Sequence, residues 1–115
     1  MPSQEYQSYI QLLNDCGAEC KRCIDAGLNS ADFGRLVRCI KLCTDCTLAC
    51  ALVASLLQAD SENVGRASAF CAEVCELCAQ ESARFDLAAC QRVAAACHRC
   101  AAECRRKKQA FAPPA

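Results

Sequence analysis

Cysteine recurs at helical intervals through the chain, and this spacing constrains the fold more than any other feature of the sequence. Fourteen of the 115 residues are cysteine. They fall into four segments, and within each segment neighbouring cysteines are three, four or seven positions apart. At about 100° per residue, such intervals place side chains on one face of an α-helix. The spacing therefore predicts amphipathic helices whose buried faces carry thiols.

Turn and cap residues divide the chain into four such helices. The predicted helices span about 3–26, 31–58, 61–84 and 87–109. Gly27 is expected to end the first helix. Short polar side chains accept hydrogen bonds from the first N–H groups of a helix. The N-caps expected on this basis are Ser3, Ser30, Asp60 or Ser61, and Asp86.

Four long amphipathic helices joined by short turns favour an all-α fold. We expect an antiparallel up-down-up-down four-helix bundle with a cysteine-lined core. The chain length fits one domain over residues 1–115. Three glycines fall inside the predicted helices at some cost in stability, and close contact between helices would explain them. They are Gly17, Gly34 and Gly65.

The cysteines are the candidate metal ligands. Antiparallel folding brings the four thiol stripes to the same height, in one column about 15–20 Å long. Thiolate is a soft ligand that selects Cu(I), zinc and iron–sulfur clusters. The predicted ligands are Cys16, Cys20, Cys23, Cys39, Cys43, Cys46, Cys50, Cys71, Cys75, Cys78, Cys90, Cys97, Cys100 and Cys104.

Other uses of so many cysteines are open at this point. Free cysteine also behaves as a small apolar core residue, and small secreted domains use cysteine for disulfides. Fourteen thiols would make a thin, oxidisable core, and cysteines one helical turn apart do not point at each other. Metal is favoured, and the number of thiols exceeds the about four of an isolated zinc or four-iron site. Cu(I), which shares bridging thiolates, is the expected ion, and zinc is the alternative.

Charge and the N-terminal segment limit the remaining functions. The chain has 13 basic and 13 acidic residues, which gives no reason to expect nucleic acid or an anionic membrane as partner. The first 14 residues lack a basic region followed by an apolar stretch, so a cytoplasmic location is expected. No apolar run reaches about 18 residues, so no membrane-spanning helix is expected. With one histidine and scattered acids, the chain is not expected to be an enzyme.

The two ends of the predicted column differ in character. One end continues into an apolar plug made of Tyr9, Leu12, Leu13, Val53, Leu57, Val64 and Phe111. The other end meets smaller and more polar residues, with Gly27 and Arg35 among them and Leu36 and Phe85 nearby. Metal is predicted to enter at this polar end, where the alternative role for its residues is that of ordinary turn residues. The candidate residues for metal uptake are Asp32, Ser82 and His98.

His98 is the weakest of these candidates. It lies about 100° around its helix from Cys97, on the flank of the cysteine stripe. A helix–helix or subunit contact is favoured over metal contact for this side chain.

The cysteine runs resemble those of a known family, the bacterial copper storage proteins. The resemblance covers nearly the whole chain and rests on CGAECKRC, CIKLCTDCTLAC, CAEVCELC and CHRCAAEC. It implies a bundle filled by many Cu(I) ions on cysteine pairs and an assembly of bundles, typically a homotetramer. Leaderless members of the family are cytosolic. Members often carry His or Met at the open end of the bundle, but this chain has one of each, so a route built on methionine is not expected.

The predicted function is cytosolic storage and sequestration of multiple Cu(I) ions, for copper homeostasis and detoxification. Uptake by thiolates releases protons, so acid weakens binding. The alternatives are a metallothionein-like buffer for zinc or cadmium and an iron–sulfur electron-transfer protein.

Overall fold

The computed structural model describes residues 4–111, which form an all-α fold. Its helices are α1 (Gln4–Leu28), α2 (Phe33–Gln58), α3 (Val64–Ser82) and α4 (Ala88–Ala110). α1 packs against α2 and α4, and α3 packs against the same two helices. Helices that follow one another in the chain are therefore neighbours in the ring. The predicted four-helix bundle is confirmed.

The buried faces of the helices combine cysteine with alanine and a few larger residues. All 14 cysteines are at most 2% exposed, and eight of the described alanines, among them Ala49, Ala72 and Ala101, are buried with them. Alanine is the strongest helix former, and its small side chain lets neighbouring helices approach. Larger apolar side chains gather at one end of the core, among them Leu13, Val53 and Leu57. Thiols thus occupy the central positions that a bundle of this length ordinarily fills with leucine or valine.

The helix ends lie one to three residues from their predicted positions at several places. α1 continues through Gly27 to Leu28, so Gly27 does not end it. α2 begins after Asp32. The hydroxyl oxygen of Ser30 accepts a hydrogen bond from the backbone N–H of Asp32, at 3.0 Å, and stabilises the turn before the helix. The prediction of Ser30 as the N-cap is therefore wrong.

The connection between α2 and α3 differs from prediction in the same way. Asp60 has a φ of 52°, the left-handed conformation that ends helices. The backbone N–H of Ser61 donates to the carbonyl of Leu56 at 2.9 Å, which closes the last turn of α2. Ser61 also accepts a hydrogen bond from the N–H of Asn63, and α3 begins at Val64. Asp60 and Ser61 thus belong to the end of α2 and its turn.

The other two predicted caps have different outcomes. Leu87, with extended backbone angles of −56° and 128°, precedes α4 in place of the expected Asp86. Ser3 lies outside the described residues, so its predicted role as the first cap stays a prediction.

Close contact between helices explains only one of the three glycines for which it was expected. A Cβ atom on Gly65 would lie 2.8 Å from the carbonyl oxygen of Phe111, at the end of α4. Gly17 and Gly34 have no such neighbour within 4 Å, so the explanation is wrong for them. Gly27 has a close neighbour of its own, since a Cβ atom there would lie 2.9 Å from Cδ1 of Ile40 in α2.

Helix α2 is long and apolar enough to cross a membrane by length and composition alone. The core helix of a bundle has the same character. Part of the apolar content of α2 is its four cysteines, which are buried among the other helices. Leu48 and Leu52, in contrast, are 65% and 46% exposed on the outside of the bundle.

Candidate metal centre

All 14 predicted ligands are free thiols gathered in the centre of the bundle. Each helix contributes three or four of them on its buried stripe. The resulting column of sulfur atoms runs along the axis of the bundle, as the helical spacing predicted.

The sulfur atoms at the middle of the column are in direct contact. Sγ of Cys46 lies 3.5 Å from Sγ of Cys75 and 3.5 Å from Sγ of Cys97. Sγ of Cys16 lies 3.6 Å from that of Cys97. At this level all four helices provide a sulfur. Thiolates about 2.3 Å from a shared metal ion would be separated by similar distances.

Five groups of cysteines have their sulfur atoms mutually within 4.8 Å. Three groups have four members and two have three. The groups overlap, since six of the cysteines each belong to two groups. These shared cysteines are Cys16, Cys20, Cys43, Cys46, Cys50 and Cys75. The column is therefore a chain of linked sulfur groups, in which an ion at one group shares ligands with the next.

The polar end of the column is formed by Cys23, Cys39 and Cys90. Sγ of Cys23 lies 3.7 Å from that of Cys90. Cys39 contacts the buried hydroxyl of Ser82 at 3.4 Å. Leu36 lies one helical turn before Cys39 and Phe85 lies just beyond α3, and both side chains are buried. Two buried apolar side chains thus lie at this end of the column.

The opposite end is closed by a tyrosine. The hydroxyl of Tyr9 donates to Sγ of Cys104 at 3.2 Å and lies 2.8 Å from the hydroxyl of Ser68. Leu13 and Val64 are fully buried beside it. Of the other predicted plug residues, Val53 and Leu57 are buried, whereas Leu12 and Phe111 are partly buried. The sequence prediction missed Ser68, although its position three residues before Cys71 places it on the cysteine stripe.

A buried lysine adds a second seal at the apolar end. Lys107 of α4 is 4% exposed and forms ion pairs with Glu5 of α1 and Glu103. Burial opposes its charge, but the hydrogen bonds to the two carboxylates outweigh burial and raise the pKa of Lys107. The ammonium stays charged and ties the end of α4 to the start of α1.

Burial and mutual hydrogen bonds shift the acidity of the thiols in both directions. Burial raises the pKa of Cys90 to about 11. Hydrogen bonds from Cys23 and Cys43 lower the pKa of Cys39, and those from Cys100 and Cys71 lower the pKa of Cys104. Charge can therefore form at some thiols more readily than at others, while neighbouring thiols retain their protons.

The predicted uptake residues lie in three different environments. Ser82 is fully buried in contact with Cys39. Asp32 is exposed above the polar end, and its carboxylate makes no cap hydrogen bond to α2. The side chain of His98 is 75% exposed, with Nδ1 4.0 Å from Glu76. The structure brings Ser82 and Asp32 to the polar end and places His98 on the outer surface.

A cavity of about 270 Å³ opens over the polar end. Its lining includes Asp32, Arg35, Leu36, Arg84, Phe85 and Asp86. The guanidinium carbons of Arg35 and Arg84 lie 5.8 Å and 5.5 Å from the centre of the Phe85 ring, within the range of cation–π contacts. Arg84 also pairs with the buried carboxylate of Glu81 at 2.8 Å. The sequence prediction missed Arg84 and Glu81, because neither continues the cysteine stripe.

Comparison with known proteins gives one family. The family described as copper storage protein matches residues 2–109. A cysteine-rich protein of Bacillus subtilis strain 168, named YhjQ, is 34% identical over 91 residues, which cover 79% of this chain and 84% of the relative.

Two solved structures share the fold. The first is the Cu(I)-bound copper storage protein BsCsp3, with a TM-score of 0.86 and 34% identity over 90% of this chain and 97% of that chain. The second is apo-Csp3 from Bacillus subtilis, with a TM-score of 0.84 and 33% identity over 89% of this chain and 97% of that chain.

Proposed function

Since the chain belongs to the copper storage protein family, we propose that it holds many Cu(I) ions per molecule, in the cytosol, on the thiolates of its central column. Copper storage is what names that family, and a relative of this fold binds Cu(I). The observation that carries the proposal is the linkage of five sulfur groups through shared cysteines. The 14 proposed ligands are the 12 cysteines of these groups together with Cys90 and Cys104, which contact Cys23 and Cys100.

Linked groups suit an ion that accepts bridging ligands. Cu(I) binds two or three sulfurs and tolerates thiolates shared between neighbouring ions. Cys46 contacts sulfurs from three other helices, so it can bridge ions above and below its level. A column built of such bridges accommodates many ions without isolated sites.

Charge balance in a buried core also favours Cu(I) over zinc. Each thiol that binds metal loses its proton and becomes an anion. A column with about one Cu(I) per thiolate has almost no net charge, whereas four thiolates around one Zn²⁺ leave a net charge of about −2. Uncompensated charge is costly in a core whose cysteines are at most 2% exposed. A zinc or cadmium buffer is the second candidate, because two of the four-sulfur groups share no member and could each hold a tetrahedral ion.

Metal uptake is proposed at the polar end. The apolar end is closed by Tyr9 and by the ion pairs of Lys107. At the polar end, Leu36 and Phe85 line the cavity, and each is three residues along the chain from Cys39 or Ser82. Asp32 lines that cavity and can attract a cation, and Ser82 can orient the first thiol. We assign no role in uptake to His98, whose side chain is on the outer surface.

We also propose that the chain forms a homo-oligomer, a tetramer by family resemblance. Leu48 and Leu52 of α2, with Phe70 and Leu77 of α3, are large apolar side chains that are 42–65% exposed. Two copies could bury these residues against each other. The formal net charge of the chain is zero, so net charge does not oppose this contact.

The test of storage is an anaerobic titration of the fully reduced protein with Cu(I) in competition with a chromophoric chelator. We expect tight uptake of about ten or more ions per chain, with no displacement by zinc. Saturation at about three or four ions, or equal retention of zinc, would instead identify closed four-sulfur sites and a general thiolate buffer. A separate reconstitution of the protein with iron and sulfide should give no brown, cluster-bearing protein.

A further inference from the structure

We propose that the cavity over the polar end is a binding site for a zwitterionic, amino-acid-type thiol that delivers Cu(I) to the column. This inference rests on the proposed function, because it identifies the chemical form in which copper reaches the storage site. It is carried by three observations: the charges that line the cavity, the apolar floor, and the thiol beneath that floor.

The unpaired charges around the cavity are of both signs. Within residues 4–111, the carboxylates of Asp32 and Asp86 pair with no cation, and Arg35 pairs with no carboxylate. Arg84 already pairs with Glu81, a carboxylate that it shares with Arg38 of α2. A free ammonium would pair with Asp32 or Asp86, and a free carboxylate would pair with Arg35. This is the charge pattern of an amino acid.

The size of the cavity fits the same class of ligand. Pockets for drug-sized ligands span about 300–1,000 Å³, and this cavity of about 270 Å³ lies just below that range. It accommodates an amino acid or a short peptide. A folded metallochaperone could cover the opening but could not enter it.

The floor of the cavity brings the ligand close to the column. Leu36 is three residues before Cys39 in α2, and Phe85 is three residues after Ser82, whose hydroxyl contacts Cys39 at 3.4 Å. One helical turn, about 5 Å, therefore separates the floor from the first thiols. Arg35 lies over the ring of Phe85, so a carboxylate that pairs with Arg35 draws one of the two guanidinium groups away from this ring at the cavity floor.

The transfer itself is a ligand exchange without oxidation or reduction. The sulfur of Cys39 forms a bond to Cu(I) as the bond between Cu(I) and the sulfur of the carrier breaks. Cys39 binds copper as a thiolate, its proton given up to solvent, and the departing carrier takes a proton from solvent and leaves as a free thiol. Copper stays Cu(I), and the ion is then shared with Cys23 and Cys43, which form one sulfur group with Cys39.

The experiment compares three carriers that differ only in charged groups: L-cysteine, 3-mercaptopropionate, which lacks the ammonium, and cysteamine, which lacks the carboxylate. Rates of Cu(I) transfer from each are measured anaerobically by stopped flow. Arg35→Gln should slow transfer from L-cysteine and 3-mercaptopropionate about fivefold, the effect of one exposed ion pair, and leave cysteamine unchanged. The double variant Asp32→Asn/Asp86→Asn should slow L-cysteine and cysteamine and spare 3-mercaptopropionate.

Arg66→Gln is the matched control, because it removes one exposed arginine near the start of α3, at the apolar end. If it slows transfer as much as Arg35→Gln does, general electrostatic attraction explains the rates, and the site is refuted. If Arg35→Gln slows all three carriers alike, cysteamine included, a structural change explains the rates, and the site is also refuted. Rates that do not depend on the carrier refute it as well.

A second measurement does not depend on copper storage. In ¹H–¹⁵N spectra, copper-free L-cysteine should shift amide signals near Asp32, Arg35 and Asp86, and Arg35→Gln should abolish the shifts. Shifts elsewhere, or none at millimolar L-cysteine, overturn the site. A protein that shows these shifts but holds few Cu(I) ions keeps the site and refutes storage, so the two failures are distinguishable.

Discussion

A hydroxyl group contacts a sulfur atom at each end of the cysteine column. Ser82 contacts Cys39 at the polar end, and Tyr9 contacts Cys104 and Ser68 at the apolar end. Buried hydroxyls need hydrogen-bond partners, because an unpaired buried polar group costs about 1–3 kcal/mol. These residues therefore fix the ends of the thiol column in the absence of metal. Burial is the main reason that the pKa of Tyr9 is raised, so its phenol stays protonated and acts as a donor.

Removal of the Tyr9 hydroxyl should destabilise the reduced, metal-free protein. Tyr9→Phe leaves the fully buried Ser68 without its partner, and we expect a loss of about 1–2 kcal/mol in the free energy of unfolding. Urea denaturation followed by circular dichroism measures it. The double variant Tyr9→Phe/Ser68→Ala should recover part of the loss, because both polar partners are then absent. A single variant as stable as the wild type would show that water, not Tyr9, satisfies Ser68.

At the scale of the helices, the four glycines differ in what surrounds them. Gly17 lies inside α1 with no neighbouring side chain within 4 Å of a Cβ position, whereas Gly65 lies against the backbone of Phe111. Glycine within a helix costs about 1 kcal/mol relative to alanine. The cost is unavoidable at Gly65, where α3 passes the end of α4, but no contact requires it at Gly17.

Alanine substitutions at these two glycines should therefore have opposite effects. Gly17→Ala should stabilise the protein by about 0.5–1 kcal/mol, which corresponds to a rise of a few degrees in Tm. Gly65→Ala should lower Tm, because its Cβ would lie 2.8 Å from a carbonyl oxygen and backbone must move. Thermal unfolding of the reduced proteins tests the pair. A rise in Tm for both variants would mean that the end of α4 moves away from Gly65 at little cost.

The helices and their cysteine stripe could be predicted from sequence, because both follow from the same spacing of cysteines along the chain. The helix ends could not, because Ser30 and Ser61 accept hydrogen bonds from N–H groups in the turns and not from the helices that follow. Asp60 is a typical N-cap residue by type, but its left-handed backbone ends α2. The cavity over the polar end could not be predicted either, because the two arginines near Phe85 are far apart in the sequence. Arg35 lies in α2, and Arg84 follows α3.

At the scale of the whole molecule, cysteines fill the core, whereas several large apolar side chains of α2 and α3 lie on the outside of the bundle. Leu48 is 65% exposed and Phe70 is 54% exposed. Exposed apolar patches of this kind mark contact surfaces. A core of small thiols buries less apolar surface than a core of leucine. In the proposed homo-oligomer, contact between copies through this face would bury additional apolar surface.

Polar substitutions on this face should separate the copies without loss of copper capacity. We expect Leu48→Gln/Leu52→Gln to reduce the molar mass measured by light scattering after size-exclusion chromatography, while the number of Cu(I) ions per chain stays the same. Leu28 is 55% exposed at the end of α1, and Leu28→Gln is the matched control. A wild-type protein with the mass of one chain would refute the oligomer, and an unchanged mass in the double variant would place the interface elsewhere.

Cu(I) uptake should acidify the solution. Burial raises the pKa of Cys90 to about 11, so this thiol is protonated at neutral pH, and every protonated thiol must lose its proton to bind metal. Because hydrogen bonds lower the pKa of other thiols, such as Cys39 and Cys104, we expect about half a proton to one proton released per Cu(I) bound, and weaker binding as the pH falls. Titration in weak buffer with a pH indicator counts the protons. Release of far less than about half a proton per ion would mean that the column holds thiolates before copper arrives.

The linked sulfur groups also have a kinetic consequence. Because neighbouring groups share cysteines, an ion can pass from Cys23 and Cys39 toward Cys71 and Cys100 without leaving sulfur. If Tyr9 closes the far end and metal passes only through the polar end, as proposed, ions bound deep in the column would leave after those nearer the cavity. A filled molecule would then contain two pools of copper: one near the polar end that exchanges quickly with small thiols, and one near Tyr9 that exchanges slowly.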